Sequence, residues 1–101
     1  MIQWPPMIQT KSGSMWLVKF TKEAEKDKQL LKRAGLAEKV KKLLNVLSNN
    51  PYQIPPSYEK LVGNLKGYYS RRINIQHRIV YRILDDEKTV VVHAMWTHYE
   101  K

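Results

Sequence analysis

The sequence contains no cysteine and no long hydrophobic run. Without cysteine the chain has no disulfide, no thiolate nucleophile and no Cys-ligated zinc or iron–sulfur centre, and it suits a reducing cytoplasm. No apolar stretch approaches the roughly 20 residues that a membrane-spanning helix requires, and the first residues lack the charged-then-apolar order of a signal peptide. We therefore expect a cytoplasmic protein that has no membrane partner.

Acidic residues are also scarce, because 9 Asp and Glu stand against 18 Lys and Arg and leave a net charge of +9 over 101 residues. A surface of this sign attracts nucleic acid, anionic membrane or an acidic protein, and charge alone does not choose among them. Hydrophobic residues make up 43% of the chain and charged residues 27%, which is close to ordinary globular usage. The composition therefore predicts a folded chain, and its length leaves room for one domain.

The first residues differ in pattern from the rest of the chain. Residues 1–14 carry a Pro-Pro pair and a Ser-Gly-Ser sequence without an apolar period, which predicts a flexible leader. Met15 then opens a short apolar run that is typical of a first strand. We accordingly assign the folded domain to residues 15–101.

Two amphipathic helices are predicted after this strand. Thr21 is a suitable N-cap for the first helix, and Gly35 is a suitable residue to end it. The second helix begins near Leu36 and ends at residues 49–51, which read Asn-Asn-Pro. Its apolar residues recur with helical spacing at Val40, Leu43, Leu44 and Leu47. The two helices should form a hairpin with one apolar side.

After a Pro-rich loop the apolar period changes to two. This pattern predicts three strands over residues 68–75, 77–84 and 89–96, with a turn at 85–88 between the last two. The resulting order, β-α-α-β-β-β, indicates an α+β fold: a small, mainly antiparallel sheet with an N-terminal helix hairpin packed on one face.

The predicted middle strand assigns residues to the two faces of this sheet. Side chains alternate along a strand, so that Ile79, Tyr81 and Ile83 share the face toward the helices. Arg78, Val80 and Arg82 then point to the other face.

Residues 60–82 combine cations with aromatic rings. They include six Lys and Arg residues, three tyrosines and no acidic residue. Single-stranded nucleic acid needs this combination, because cations neutralise phosphates and rings stack on bases. Half-buried tyrosines and solvated arginines of an ordinary sheet would give the same pattern. The three histidines, His77, His93 and His98, lack the spacing of a metal site, and we expect no metal and no cofactor.

Five segments of the second half are similar to a known family: EKL at 59–61, NLKGYYSRRI at 64–73, HRIVY at 77–81, DD at 85–86 and HY at 98–99. Through them the chain from Met15 onward resembles the YoeB/Txe toxins of the RelE/ParE superfamily, whose fold is RelE-like. The resemblance implies a toxin of a type II toxin–antitoxin system. It also implies a ribosome-dependent endoribonuclease that cleaves mRNA in the A site, forms a homodimer and is held inactive by an acidic antitoxin.

The resemblance further implies roles for single residues. Glu59 matches the general base, Arg78 the phosphate-binding arginine, His98 the general acid and Tyr99 an orienting tyrosine. A carboxylate can accept the 2′-hydroxyl proton, a guanidinium can stabilise charge on the phosphate, and an imidazole can protonate the leaving 5′-oxygen. Further basic residues would contact messenger or ribosomal RNA: Lys60, Lys66, Arg71, Arg72 and Arg82. Because Arg71 and Arg72 alternate across a strand, only one of them need face RNA.

Two other functions are consistent with the same composition. A ParE-like member of the superfamily would poison DNA gyrase by binding it, and would have no use for the set of Glu59, Arg78, His98 and Tyr99. A basic module without activity would bind RNA and DNA alike, with an affinity that falls steeply as salt rises.

Overall fold

The computed structural model describes residues 16–95, and within them two helices pack against a five-stranded sheet. The elements in chain order are β1 Leu17–Phe20, α1 Lys22–Arg33, α2 Ala37–Asn49, β2 Glu59–Lys60, β3 Tyr69–Arg72, β4 Arg78–Leu84 and β5 Thr89–Ala94. The predicted leader at residues 1–14, and the predicted site residues His98 and Tyr99, lie outside the described residues. The α+β architecture expected from the sequence is confirmed.

The first helix begins and ends as predicted. The Thr21 side chain accepts a hydrogen bond from the Ala24 amide at 3.1 Å, which satisfies one of the free N–H groups of the first turn. The same hydroxyl donates to the backbone carbonyl of His93 in β5, at 3.0 Å. Gly35 follows the last turn with a φ of +77°, a left-handed conformation that glycine adopts without strain. Thr21 therefore both starts α1 and joins it to the sheet.

The strands lie in the order β1-β5-β4-β3-β2. The pair β1 and β5 is parallel, and the other three pairs are antiparallel. Both helices pack on the same face of the sheet, which we call the covered face. Its residues Ile79, Tyr81, Val90 and Val92 are fully buried in one core with the apolar residues of the helices. The predicted orientation of β4 is confirmed, since Ile79 and Tyr81 lie in this core and Ile83 packs against it.

Two features of the sheet differ from the predicted strands. The short strand β2 pairs with β3 and was not predicted, because Glu59 and Lys60 are both exposed and have no apolar alternation. In addition, Tyr81 pairs with Val92 but Val80 pairs with Ala94, so that His93 is an extra residue in β5. Such a β-bulge changes the direction of a side chain in a way that strict alternation does not predict.

No helix within residues 16–95 combines the length and the apolar character that crossing a membrane requires.

Candidate active site

The site is built on the face of the sheet opposite the helices, which we call the open face. Glu59 pairs with Ser70 between β2 and β3, and Arg72 pairs with Arg78 between β3 and β4. Residues that are directly opposite each other in an antiparallel pair share a face. Ser70 also pairs with Val80, which belongs to the same face as Arg78. These four polar residues therefore lie together on the open face.

Glu59 and Arg78 form an ion pair across this face. The Nη1 atom of Arg78 lies 3.1 Å from Oε1 of Glu59 and also donates to Oγ of Ser70 at 2.8 Å. The Arg78 side chain is 21% exposed and that of Glu59 is 62% exposed. Ser70 itself is fully buried, so that it fixes the guanidinium from below while the carboxylate stays accessible. The structure thus brings together two of the four residues that were predicted to be catalytic.

The strand β5 ends close to Arg78 in the sheet. The last residue of β5, Ala94, pairs with Val80, two positions from Arg78 on the neighbouring strand. His98 and Tyr99 follow outside the described residues, and their catalytic roles stay predictions.

Three of the predicted RNA contacts are accessible to solvent. Lys60, Lys66 and Arg72 are exposed. The two lysines line a depression of about 550 Å³ that is formed by the connection between β2 and β3, together with Leu61, Val62 and Tyr68. Arg72 lies directly opposite Arg78, and two like charges in such a pair repel each other. A phosphate bound between these two arginines would relieve the repulsion.

Arg71 requires a correction, because it is buried in the covered half of the protein and does not face RNA. Only 1% of the residue is exposed. Its Nε donates to the hydroxyl of Tyr81 at 2.9 Å, and its Nη2 donates to the carbonyls of Pro51 at 2.8 Å and Gln53 at 3.0 Å. Its Nη1 donates to the carbonyl of Pro56. Arg71 therefore holds the Pro-rich loop that leads to Glu59, and it is not a direct RNA contact.

The hydroxyl that receives the Arg71 bond is itself buried. Burial raises the pKa of Tyr81 to about 12, and the positive charge of Arg71 opposes this rise. The hydroxyl consequently remains protonated at neutral pH, and its oxygen accepts from the guanidinium.

Arg82 lies on the open face in a cluster with Tyr68 and His93. Its Cζ atom is 5.8 Å from the centre of the Tyr68 ring, and the rings of Tyr68 and His93 meet edge to face at 4.8 Å. Burial, and then the charge of Arg82, lower the pKa of His93 below its ordinary value. The sequence indicated Tyr68 only as one of three tyrosines whose rings could stack on bases, and it indicated no role for His93. The ring of His93 lies against Tyr68 and close to the charge of Arg82, and no local pattern in the sequence reveals these contacts.

No group of three or more His, Asp or Glu side chains that could hold a metal ion occurs within residues 16–95. The polar groups that the structure brings together on the open face are instead one carboxylate, one hydroxyl and several guanidinium groups, which suit an anionic ligand such as a phosphate.

Fold and site together define a small basic α+β protein whose open cationic face carries a carboxylate–guanidinium pair, the class to which bacterial toxins of the RelE type belong. Residues 19–99 match the family described as the YoeB-like toxin of bacterial type II toxin-antitoxin systems. The chain belongs to this family, and it is therefore a toxin of a type II toxin–antitoxin system. The match favours the YoeB-like interpretation over the ParE-like one.

Similar proteins support this assignment. The toxin YoeB of Synechocystis sp. is 36% identical over 77 residues, which cover 76% of this chain and 80% of the relative. The toxin YoeB of Escherichia coli strain K12 is 33% identical over 75 residues, 74% of this chain and 80% of the relative.

Solved structures show the same fold. A YoeB/ParE toxin from Agrobacterium tumefaciens superposes with a TM-score of 0.73 at 30% identity, over 81% of this chain and 98% of that one. A YoeB-YefM complex from Staphylococcus aureus superposes with a TM-score of 0.68 at 30% identity, over 85% and 100%. A YoeB dimer from Staphylococcus aureus matches with a TM-score of 0.68 at 29% identity, over 86% and 100%.

Proposed function

We propose that this toxin is an endoribonuclease that cleaves mRNA in the ribosomal A site. The observation that carries the proposal is the ion pair of Glu59 and Arg78 on an open, cationic sheet face. One group of the pair can accept a proton and the other can bind a phosphate. This is the minimum that cleavage of RNA by its own 2′-hydroxyl requires.

The proposed reaction begins at the 2′-hydroxyl of the nucleotide before the scissile bond. Glu59 accepts the proton of this hydroxyl, and the 2′-oxygen attacks the adjacent phosphorus. The bond from phosphorus to the 5′-oxygen breaks, and His98 gives a proton to that oxygen while Tyr99 orients the imidazole. The products are a 2′,3′-cyclic phosphate and a 5′-hydroxyl, so that no water and no cofactor are consumed.

Arg78 stabilises the charge that develops on the phosphate oxygens. A guanidinium has five N–H donors, and the contacts with Glu59 and Ser70 both use Nη1. The remaining donors are available to a phosphate while the group stays in place. Holding Arg78 before the substrate arrives reduces the reorganisation that the reaction needs, which is the general basis of electrostatic catalysis.

The other accessible basic residues would bind the RNA strand and the ribosome. Lys60, Lys66 and Arg72 are exposed, and Arg82 is half-buried. Contacts of this kind position a nucleic acid and make its affinity depend on salt. Arg71 is not part of this set, because its donors are used inside the protein.

The proposed partners follow from charge and from the similar proteins. An acidic antitoxin segment that folds across the open face would cover Glu59 and Arg78 and exclude RNA, as a net charge of +9 favours. The similar toxins from Staphylococcus aureus occur as a YoeB-YefM complex and as a YoeB dimer. We extend both the antitoxin and the homodimer to this chain, which would act in the cytoplasm, where the ribosomes are.

The proposal is tested by single-turnover cleavage of mRNA on programmed ribosomes. Glu59→Gln should slow cleavage by about 10² to 10⁴, since a positioned general base contributes that much. Glu38→Gln, which makes the same change on an exposed position of α2, should have no effect. An mRNA with a 2′-deoxy nucleotide at the cleavage position should remain intact. Cleavage of the 2′-deoxy message would show that another nucleophile attacks and would contradict the mechanism.

A further inference from the structure

The cluster of Tyr68, Arg82 and His93 lies on the same face as the proposed catalytic pair but at a distance from it. Arg82 is four residues from Arg78 along β4 and belongs to the same side of the strand. At about 3.3 Å per residue the two arginines are separated by about 13 Å. Arg78 is held by Glu59 and Ser70, whereas Arg82 lies over the Tyr68 ring, so that the two guanidinium groups occupy different places on the face. The cluster therefore needs an explanation of its own.

Two nitrogen atoms of this cluster have no hydrogen-bond partner among the described residues. Nε of Arg82 and Nε2 of His93 are both buried, and neither makes a hydrogen bond to any described residue. Buried polar groups usually have a partner, since leaving one without a hydrogen bond costs free energy. Their position in a cationic sheet face indicates a ligand with hydrogen-bonding atoms.

The Tyr68 ring connects these nitrogen atoms to the depression of about 550 Å³ between β2 and β3. Arg82 lies over the ring at 5.8 Å, and His93 meets it at 4.8 Å. The same residue lines the depression together with Leu61 and Val62. A volume of this size is typical of small-ligand sites, and its apolar lining suits a flat ring.

We propose that Tyr68, Arg82 and His93 form a second subsite, which binds one nucleotide of single-stranded RNA next to the nucleotide that is cleaved. The base packs against Tyr68 in the depression, and a phosphate of the strand accepts a hydrogen bond from Arg82. An aromatic ring beside a cation favours a nucleotide over an acidic side chain, which has no ring to stack. The inference rests on the proposed function, since it assigns a further part of the same RNA strand.

The neutral state of His93 is consistent with this arrangement. Burial and the charge of Arg82 keep the pKa of the imidazole below its ordinary value. The other groups that face it are the Tyr68 ring and the Arg82 guanidinium. An uncharged imidazole does not repel Arg82, and it leaves one ring nitrogen free to hydrogen-bond the nucleotide.

The first test measures binding and cleavage separately. The dissociation constant of the toxin is measured on ribosomes programmed with the 2′-deoxy mRNA, and the maximal single-turnover rate is measured on the all-ribose mRNA. Arg82→Gln should raise the dissociation constant about 10-fold, the effect of one lost charge-assisted hydrogen bond, and leave the maximal rate within about twofold. Arg33→Gln, the same change on the exposed last turn of α1, should alter neither value. An unchanged dissociation constant for Arg82→Gln would overturn the subsite.

The second test first changes the RNA and leaves the protein intact, so that misfolding cannot explain that result, and then repeats the measurement on variants of Tyr68. An abasic nucleotide is placed in the 2′-deoxy mRNA immediately before or immediately after the cleavage position. At one of the two positions it should weaken binding to the wild-type toxin about 10-fold or more, as the loss of one stacked base does. In the Tyr68→Leu variant the same abasic nucleotide should weaken binding no further. The Tyr68→Phe variant keeps the ring, and its binding should again be weakened by the abasic nucleotide.

These outcomes separate the subsite from the proposed function. The subsite would be overturned if, at both RNA positions, the abasic nucleotide weakened the binding of Tyr68→Leu as much as it weakens the binding of the wild type. This conclusion would hold even if the all-ribose mRNA is cleaved. The opposite result is also possible: the abasic nucleotide and the Tyr68 substitution are coupled in binding, but the wild-type toxin leaves the all-ribose mRNA uncut. That result would contradict the nuclease and support the subsite.

Discussion

Arg71 and Arg72 are neighbours on β3, yet the alternation of the strand gives them opposite environments. On the covered face, Arg71 is 1% exposed and gives its hydrogen bonds to three backbone carbonyls and a tyrosine hydroxyl. On the open face, Arg72 is exposed and lies opposite another arginine. The comparison shows that the same residue type stabilises the fold on one face and is available for a ligand on the other.

The largest effect should come from removing the buried member of this pair. Arg71→Met should lower the free energy of unfolding by about 3 kcal/mol or more, because it leaves several buried acceptors without a donor. Arg72→Met, one residue further, should change it by no more than about 0.5 kcal/mol. Urea denaturation of both variants measures the difference. Equal losses would show that Arg71 does not anchor the loop as its hydrogen bonds indicate.

On the open face we expect the reverse, with a loss of activity and little loss of stability. Arg78→Ala should reduce the maximal cleavage rate by about 10² to 10³, which corresponds to roughly 3 kcal/mol of transition-state stabilisation. The free energy of unfolding should fall by less than about 1 kcal/mol, since the partner carboxylate of Glu59 is 62% exposed and such pairs contribute little. Cleavage assays and urea denaturation on the same preparation test both statements. If Arg78→Ala unfolds readily, Arg78 stabilises the fold as Arg71 does, and the prediction is wrong.

Thr21 lies where the helices of the covered face meet β5, and its substitution should have a smaller effect. Thr21→Ala removes the N-cap bond to the Ala24 amide and the bond to the His93 carbonyl. The loss should be about 1 kcal/mol in the free energy of unfolding, as for other helix caps. Thr21→Ser keeps the hydroxyl and should lose much less, whereas a full loss in both variants would point to packing of the Thr21 methyl group.

The smallest expected effect is a pH dependence from His93. Its pKa is lowered in the folded protein, so that the unfolded chain binds the proton more readily. The corresponding stability is fully present above about pH 6.5 and is progressively lost as the pH falls below that value. Denaturation at pH 7.5 and 5.5 should therefore show a larger acid loss for the wild type than for His93→Gln. An identical acid loss in the two proteins would assign the dependence to other groups.

Much of the covered half could be predicted from the sequence, because its residues follow simple periods. The helical spacing of Val40, Leu43 and Leu47, and the alternation of Ile79 and Tyr81, both correspond to buried residues in the structure. Burial favours an apolar side chain at each of these positions independently of distant contacts, and the result is a period that is visible in the local sequence.

The open face was less predictable, since its residues depend on contacts between distant parts of the chain. Glu59 and Arg78 were found through the family resemblance and not through any local pattern, as they are 19 positions apart. The strand that carries Glu59 has two residues and no apolar alternation. The burial of Arg71 depends on the carbonyls of a loop 15 to 20 positions earlier, which no period encodes. No role was expected for His93, because its contact with Tyr68 joins distant parts of the chain.

The shortness of β2 has a consequence for hydrogen exchange and local opening. The strand consists of Glu59 and Lys60 at the edge of the sheet, and within residues 16–95 it pairs only with β3. Short edge elements open at a free-energy cost well below that of global unfolding, whereas central strands such as β4 exchange their amides only when most of the domain opens. The proposed base and the phosphate-binding arginine thus belong to units of unequal stability. We therefore expect the toxin to lose and recover the alignment of Glu59 with Arg78 while its hydrophobic core stays folded.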